Sequence, residues 1–193
     1  MTTTLPRNLQ PRADHIVRVF REATTDQLAA GMTWYADAHT VARALDPDNP
    51  DRAAGILAAL SPREFWSRNV TLAARVYSEG KASGSLTANC AKADRIFAGE
   101  DWRDVLGGDK VRTFAERISN PTTPTNRVVI DRHAFDIAVG RKTKDATRAI
   151  LSRKGAYRAF EREYVRAAKI LGVTPTQVQA VTWTVWREPL RLF

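Results

Sequence analysis

Cysteine is nearly absent: Cys90 is the only one in 193 residues. A lone thiol excludes an internal disulfide framework, a zinc site built from several cysteines and an iron–sulfur cluster held by this chain alone. The three histidines show no metal-ligand spacing either, so neither metal nor cofactor is expected. Long apolar runs are missing, and with them a membrane-crossing helix. The opening MTTTLPRNLQ lacks the apolar stretch of a secretion signal, so a soluble, reducing, cytoplasmic setting is expected. Internal repeats, low-complexity tracts and long linkers are absent too. With 44% hydrophobic and 26% charged residues, the chain has an ordinary globular composition. Its length suits one compact body, or two small lobes sharing a core.

Negative charge is scarce at one end. Residues 1–140 hold 18 basic and 17 acidic side chains, whereas 141–193 hold 12 and 4. Nearly all of the +9 net charge therefore sits on the last quarter of the chain. A one-sided basic surface on a globular body is the electrostatic signature of a polyanionic partner. Arg158, Arg162 and Arg166 recur every fourth residue, which places them on one exposed helical stripe. Tyr157, Phe160, Tyr164, Ala168 and Leu171 fall on the opposite, packed face. Arg141, Lys142, Lys144, Arg148, Arg153 and Lys154 extend the basic set, which is able to track a duplex backbone and release counterions.

Apolar spacing predicts an all-α chain. Helices are expected over Ala13–Glu22, Thr25–Ala44, Asp51–Leu60, Pro62–Gly80, Leu86–Phe97, Trp102–Leu106, Asp109–Ser119, Asp131–Val139, Lys144–Leu151, Gly155–Leu171 and Pro175–Arg187. Gly31 weakens the middle of the second. Ser61-Pro62-Arg63-Glu64 reads as a helix start with Ser61 as N-cap. Asp109 reads as another N-cap. Arg127–Ile130 is the one β-like run, extended and buried. Trp34, Tyr35, Trp66, Trp102, Trp183 and Trp186 are candidates for the core; one of the first four is suited to lining a base pocket.

Two segments carry possible chemistry. Val105–Val111 is a helix, a Gly107-Gly108 turn and a second helix start with Asp109 and Lys110. Exposed amides at such a start attract phosphate. In Val128–Phe135 an apolar run ends at Asp131, followed by Arg132 and His133; alone, Asp131 is a plain N-cap. Lys110 precedes Asp131 by 21 positions, with one helix and one loop between.

That order resembles the helix-hairpin-helix DNA glycosylase superfamily. The resemblance spans roughly Leu57 to Gly140 in element order and rests on Leu106–Lys110 and Val128–Gly140. Gly107-Gly108 is a shortened version of the family's hairpin, and the Asn120–Asn126 loop is slightly longer than the family norm. The resemblance implies two helical lobes with a DNA cleft between them: 31–139 as the central lobe, and 1–30 with 140–193 as the basic one. It implies that Asp131 stabilises positive charge on a sugar losing its base, and that Lys110 occupies the place of the family's Schiff-base nucleophile. Lys110 as a phosphate contact is the equal alternative. Gly107, Gly108, Asp109, Arg132, Arg141, Lys142, Lys144, Arg158, Arg162 and Arg166 would contact DNA.

The function so implied is excision of a damaged or modified base from duplex DNA by a monomer, at the nucleoid or, for a viral protein, in the host cytoplasm. Two alternatives stand beside it. One is a glycosylase-fold transferase acting on hypermodified pyrimidines in viral DNA. The other is a non-catalytic DNA-binding protein. His133, two residues past Asp131, points to another helix face and is expected to pack or hydrogen-bond. The Ser61–Arg63 turn is the place expected to supply the side chain that fills the vacated base stack.

Overall fold

The computed structural model describes residues 5–187. Among them the chain forms α1 (Ala13–Arg21), α2 (Thr25–Leu45), α3 (Pro50–Leu60), α4 (Trp66–Glu79), α5 (Thr87–Phe97), α6 (Trp102–Val105), α7 (Asp109–Ser119), α8 (Arg132–Val139), α9 (Asp145–Arg148), α10 (Ala156–Leu171) and α11 (Pro175–Trp186). Short 3-10 turns lie at Arg7–Leu9 and Ala149–Ser152, and no strand forms among the described residues. The protein is all-α.

The chain divides into two units: one of residues up to Trp34 and from Pro124 on, the other Tyr35–Thr123. The sequence division at 31 and 139 differs from this over 31–34 and 124–139, and the second difference places Asp131 in the same unit as α1, α10 and α11. The physical reason is α8. Its residues Ala134–Val139 are all buried, and it packs against α1, α10 and α11.

In the Tyr35–Thr123 unit, α3 is the hub. Every residue from Ala53 to Leu60 is buried, and the helix packs against α4, α5, α6 and α7. Asn49 caps it, accepting the Arg52 N–H at 3.0 Å, with Pro50 in the first turn. Its other end departs from expectation. Ser61 does not start a helix; its hydroxyl donates to the Ala58 carbonyl at 2.9 Å and finishes α3. Arg63 then takes a left-handed φ of 71°, and α4 begins only at Trp66. Glu64, expected at the third helical position, pairs with Arg68 at 2.9 Å instead.

In the other unit, α1, α8, α10 and α11 enclose one core. Phe135 and Phe160 stack at its centre, 4.7 Å between ring centroids. Gly140 ends α8 with φ 83°, and a Cβ there would meet the His15 ring at 2.6 Å. His15 Nδ1 is itself 3.1 Å from the Ala138 carbonyl oxygen. The periodicity of α10 is as expected: Tyr157, Phe160, Tyr164 and Ala168 are buried, Arg158, Arg162 and Arg166 exposed.

The buried run Val128–Ile130 has no strand partner. Side chains of α10 take that place. Tyr157 Oη donates to the Val128 carbonyl and accepts the Ile130 N–H, both at 2.9 Å. Glu161 Oε1 accepts the Val128 N–H at 3.1 Å. A buried amide left unsatisfied costs about 1–3 kcal/mol, so these contacts fix where the run ends. It ends at Asp131.

Candidate functional site

Asp131 opens α8 from an extended backbone, φ −88° and ψ −172°. Its Oδ1 accepts the Ala134 N–H at 2.8 Å, so the N-cap is real. Its Oδ2 accepts the indole N–H of Trp183 at 3.2 Å. An ionised carboxylate offers about four acceptor positions, and these bonds use two. The residue is half-buried. It is thus a carboxylate held in one orientation with lone pairs left for another group.

Below the cap, Tyr164 Oη donates to the Ala134 carbonyl at 3.1 Å from full burial. That burial pushes its phenol above the ordinary range; Thr182 opposes the shift and the charge on Asp131 adds to it. Tyr157, Glu161 and Tyr164, all on one face of α10, therefore hold the backbone on both sides of Asp131.

Aromatic and cationic groups gather around Trp183, the indole that bonds the carboxylate. Trp34 and His133 both meet Trp183 edge-on, with centroids 6.2 Å and 6.4 Å from it. The Arg187 guanidinium lies over the Trp183 ring, 4.3 Å from its centroid. Arg132 is exposed, and its Nε donates to His133 Nε2 at 3.1 Å, which leaves the ring proton on Nδ1. His133 packs and hydrogen-bonds, as expected. Burial lowers its pKa below the ordinary 6.5; Asp131 opposes this, Arg132 and Arg187 reinforce it, and Asp136 opposes it. Accepting the Arg132 Nε–H, the ring is held in its neutral form.

This gives a pH dependence of definite sign. The unfolded chain binds the His133 proton more readily, so the stability contribution is full above about pH 6.5 and lost as pH falls through the lowered value. Thermal melting of the wild type should lose more midpoint between pH 6.5 and 5 than His133→Gln does. Parallel curves would exclude His133 as the source.

In the other unit, α6, the Gly107-Gly108 turn and α7 follow one another in the order the sequence suggests. Gly108, φ 77°, is the N-cap of α7 and Asp109 the first helical residue, so the cap falls one position earlier than the sequence suggests. The positive φ explains this, since glycine adopts it without strain. A Cβ on Gly107 or Gly108 would meet nothing within 4 Å, so the turn is open on its outer side. Arg112 braces it from within, Nε donating to the Leu106 carbonyl at 2.5 Å and Nη2 to that of Arg103 at 2.6 Å. Lys110 is half-buried in the first turn of α7.

Of the basic residues, Arg141, Lys142, Lys144, Arg153, Lys154 and Arg162 are exposed. Arg158 and Arg166 are exposed too but lie 2.9 Å from Glu161 and 3.3 Å from Glu163. Arg148 is not a surface cation. It clamps buried Asp136 through Nη2 at 2.7 Å and Nε at 3.2 Å, and also bonds the Thr143 carbonyl. Thr143 bonds the same carboxylate at 2.6 Å. The loop carrying Arg141, Lys142 and Lys144 is thereby fixed to α8.

Trp183 is the residue the sequence analysis set aside as core. It is half-exposed and touches Asp131. Trp102 and Tyr35 are buried as expected, whereas Trp34 and Trp66 are partly exposed. No group of three or more His, Cys, Asp or Glu able to hold a metal occurs among the described residues. No described helix is long and apolar enough to cross a membrane.

The molecule is thus an all-helical protein of two units, one of which presents a capped, partly exposed carboxylate among tryptophans and arginines. The chain belongs to DUF7178, a family of unknown function whose pattern matches residues 1–190. No curated protein and no solved structure matches it significantly.

Proposed function

We propose that the protein is a DNA N-glycosylase with the two-lobed fold of the helix-hairpin-helix superfamily, acting on a damaged or modified base in duplex DNA. The observation that carries this is the Asp131 carboxylate, fixed by Ala134 and Trp183 yet half-exposed. As the C1′–N bond breaks, its electron pair leaves with the base and positive charge grows on the sugar. A carboxylate already oriented there lowers that barrier electrostatically. Water then attacks C1′ and loses its proton, giving an abasic site and the free base.

The exposed lysines and arginines of the 141–166 region supply the attraction for a phosphate backbone, and the open Gly107-Gly108 turn offers a further backbone contact. Lys110 is the nucleophile of a strand-cleaving variant of the same chemistry. Its amine would displace the base at C1′ and lose a proton, and opening of the sugar ring at the C1′–O4′ bond, with O4′ taking a proton, would give an iminium that borohydride reduces.

Incubation with duplexes carrying uracil, 7-methylguanine, 1,N6-ethenoadenine or 5-hydroxymethyluracil should release at least one base. With borohydride present, a covalent adduct that is absent in Lys110→Ala identifies the lysine as nucleophile; release without an adduct leaves water in that role. Salt-sensitive binding with no base release from any duplex would leave only a DNA-binding protein. A new nucleoside in hydroxymethylated DNA would mark a transferase.

A further inference from the structure

Trp183 is built into the site in a way that separates two roles open to a tryptophan beside a catalytic carboxylate. One is to stack on a substrate base; the other is to aim the carboxylate. Its ring is already engaged. Arg187 covers a face, 4.3 Å from the centroid, and Trp34 and His133 meet it edge-on. Its polar edge has one destination, Asp131 Oδ2 at 3.2 Å.

The backbone around both partners is anchored. Asp131 is held by the α8 cap and the α10 contacts described above. Trp183 follows Thr182, whose buried hydroxyl donates to the Val178 carbonyl at 2.8 Å, and Val181, which abuts Gly31. An N-cap bond alone fixes one carboxylate oxygen and leaves the plane of the group free to turn about it. The second donor, from a helix 52 residues away in sequence, removes that freedom.

We infer that Trp183 is a positioning residue: its indole N–H fixes the plane of the Asp131 carboxylate, and its ring does not receive the substrate base. This rests on the glycosylase function proposed above and adds to it the group that orients the acid. Small misplacement of a reacting group costs up to roughly 10²-fold in rate. Loss of the N–H therefore lowers turnover roughly 10–100-fold and leaves KM unchanged, because no substrate contact is lost.

The test replaces Trp183 by 3-benzothienylalanine, which keeps the ring shape and its contacts but has sulfur in place of N–H. Trp183→Phe is the second variant. Both should lose turnover on whichever duplex of the panel the wild type processes, with unchanged KM, and the isostere should stay folded with its thermal midpoint lowered by no more than the few degrees that one hydrogen bond accounts for. Wild-type turnover in the isostere, or a raised KM with unchanged turnover, would overturn the inference.

A readout independent of activity is the indole 1H–15N resonance of Trp183, assigned by its disappearance in Trp183→Phe. It should move in Asp131→Ala more than the other indole resonances do; no movement would also overturn the inference. Should the wild type release no base at all, the glycosylase function fails, and the resonance alone decides whether the indole N–H holds Asp131.

Discussion

Under the proposed glycosylase activity, Asp131→Asn should slow base release by roughly 10²–10³-fold and leave the fold standing. Asparagine caps helices as well as aspartate does, so its side-chain oxygen keeps the Ala134 N–H that Oδ1 now accepts at 2.8 Å. The second acceptor is lost. The amide nitrogen that replaces it cannot accept the Trp183 N–H, at a cost of about 1 kcal/mol. That is small beside the chemical effect. A full charge about 4 Å from a developing cation, at an effective dielectric near 20, contributes about 4 kcal/mol. Some of this survives in the amide dipole, so the rate should fall on the order of 10²–10³-fold. Binding of an intact duplex should change little. Asp131→Ala, by contrast, loses cap and charge together and should also melt lower by about 1 kcal/mol of stability. Equal base release by the wild type and Asp131→Asn would remove Asp131 from the mechanism.

Gly31→Ala destabilises the protein although alanine is the better helix former. Gly31 is buried in α2, and a Cβ there would lie 2.5 Å from both Cα and Cγ2 of Val181 and 2.7 Å from its backbone nitrogen. Two of these three atoms are backbone, so α11 itself has to shift. Overpacking of this kind costs about 1–3 kcal/mol and occasionally more, against about 1 kcal/mol gained in helix propensity. With backbone as the obstacle the upper end applies, a net loss of about 2 kcal/mol and a midpoint lower by about 4–8 °C. Gly107→Ala, where the added carbon meets nothing within 4 Å, is the control and should melt like the wild type. The shift also reaches the site. Trp183 lies two residues beyond Val181, and Trp34 lies one turn beyond Gly31. The close approach at Gly31 is what brings these two rings to 6.2 Å, so the variant should lose turnover as well as stability. An unchanged midpoint would mean the helices yield without cost.

What the sequence made legible was local. The α10 pattern of aromatic and arginine faces follows from a 3.6-residue period, and both faces lie where that period puts them. Asp131 at the head of α8 and Gly140 at its end are cap residues readable from three or four neighbours. Ser61 shows the limit of such reading. The same hydroxyl that resembles an N-cap for the next helix serves the last turn of the preceding one. Arg127–Ile130 shows another: β-branched residues signalled an extended buried run, but nothing local says that Tyr157 and Glu161 will replace a neighbouring strand.

Trp183 was illegible for a related reason. Its helix carries no charged side chain to mark a solvent face, so periodicity does not single out one tryptophan, and its partner lies 52 positions earlier. The same holds for Arg148, whose charge suggests a surface contact until Asp136, 12 residues before it, claims the guanidinium. In both cases tertiary proximity, not residue type, decides the role.

The most direct measurement uses duplexes that need no knowledge of the target base. One carries a pyrrolidine abasic analogue, whose ring nitrogen bears a positive charge like that of the sugar losing its base; the other carries the neutral tetrahydrofuran analogue. Mimics of a transition state bind more tightly to a site complementary to it. The wild type should prefer the cationic duplex by at least about tenfold, equivalent to about 1.4 kcal/mol, and Asp131→Asn should lose that preference. Equal affinity of the wild type for the two duplexes would contradict a carboxylate poised to stabilise a sugar cation.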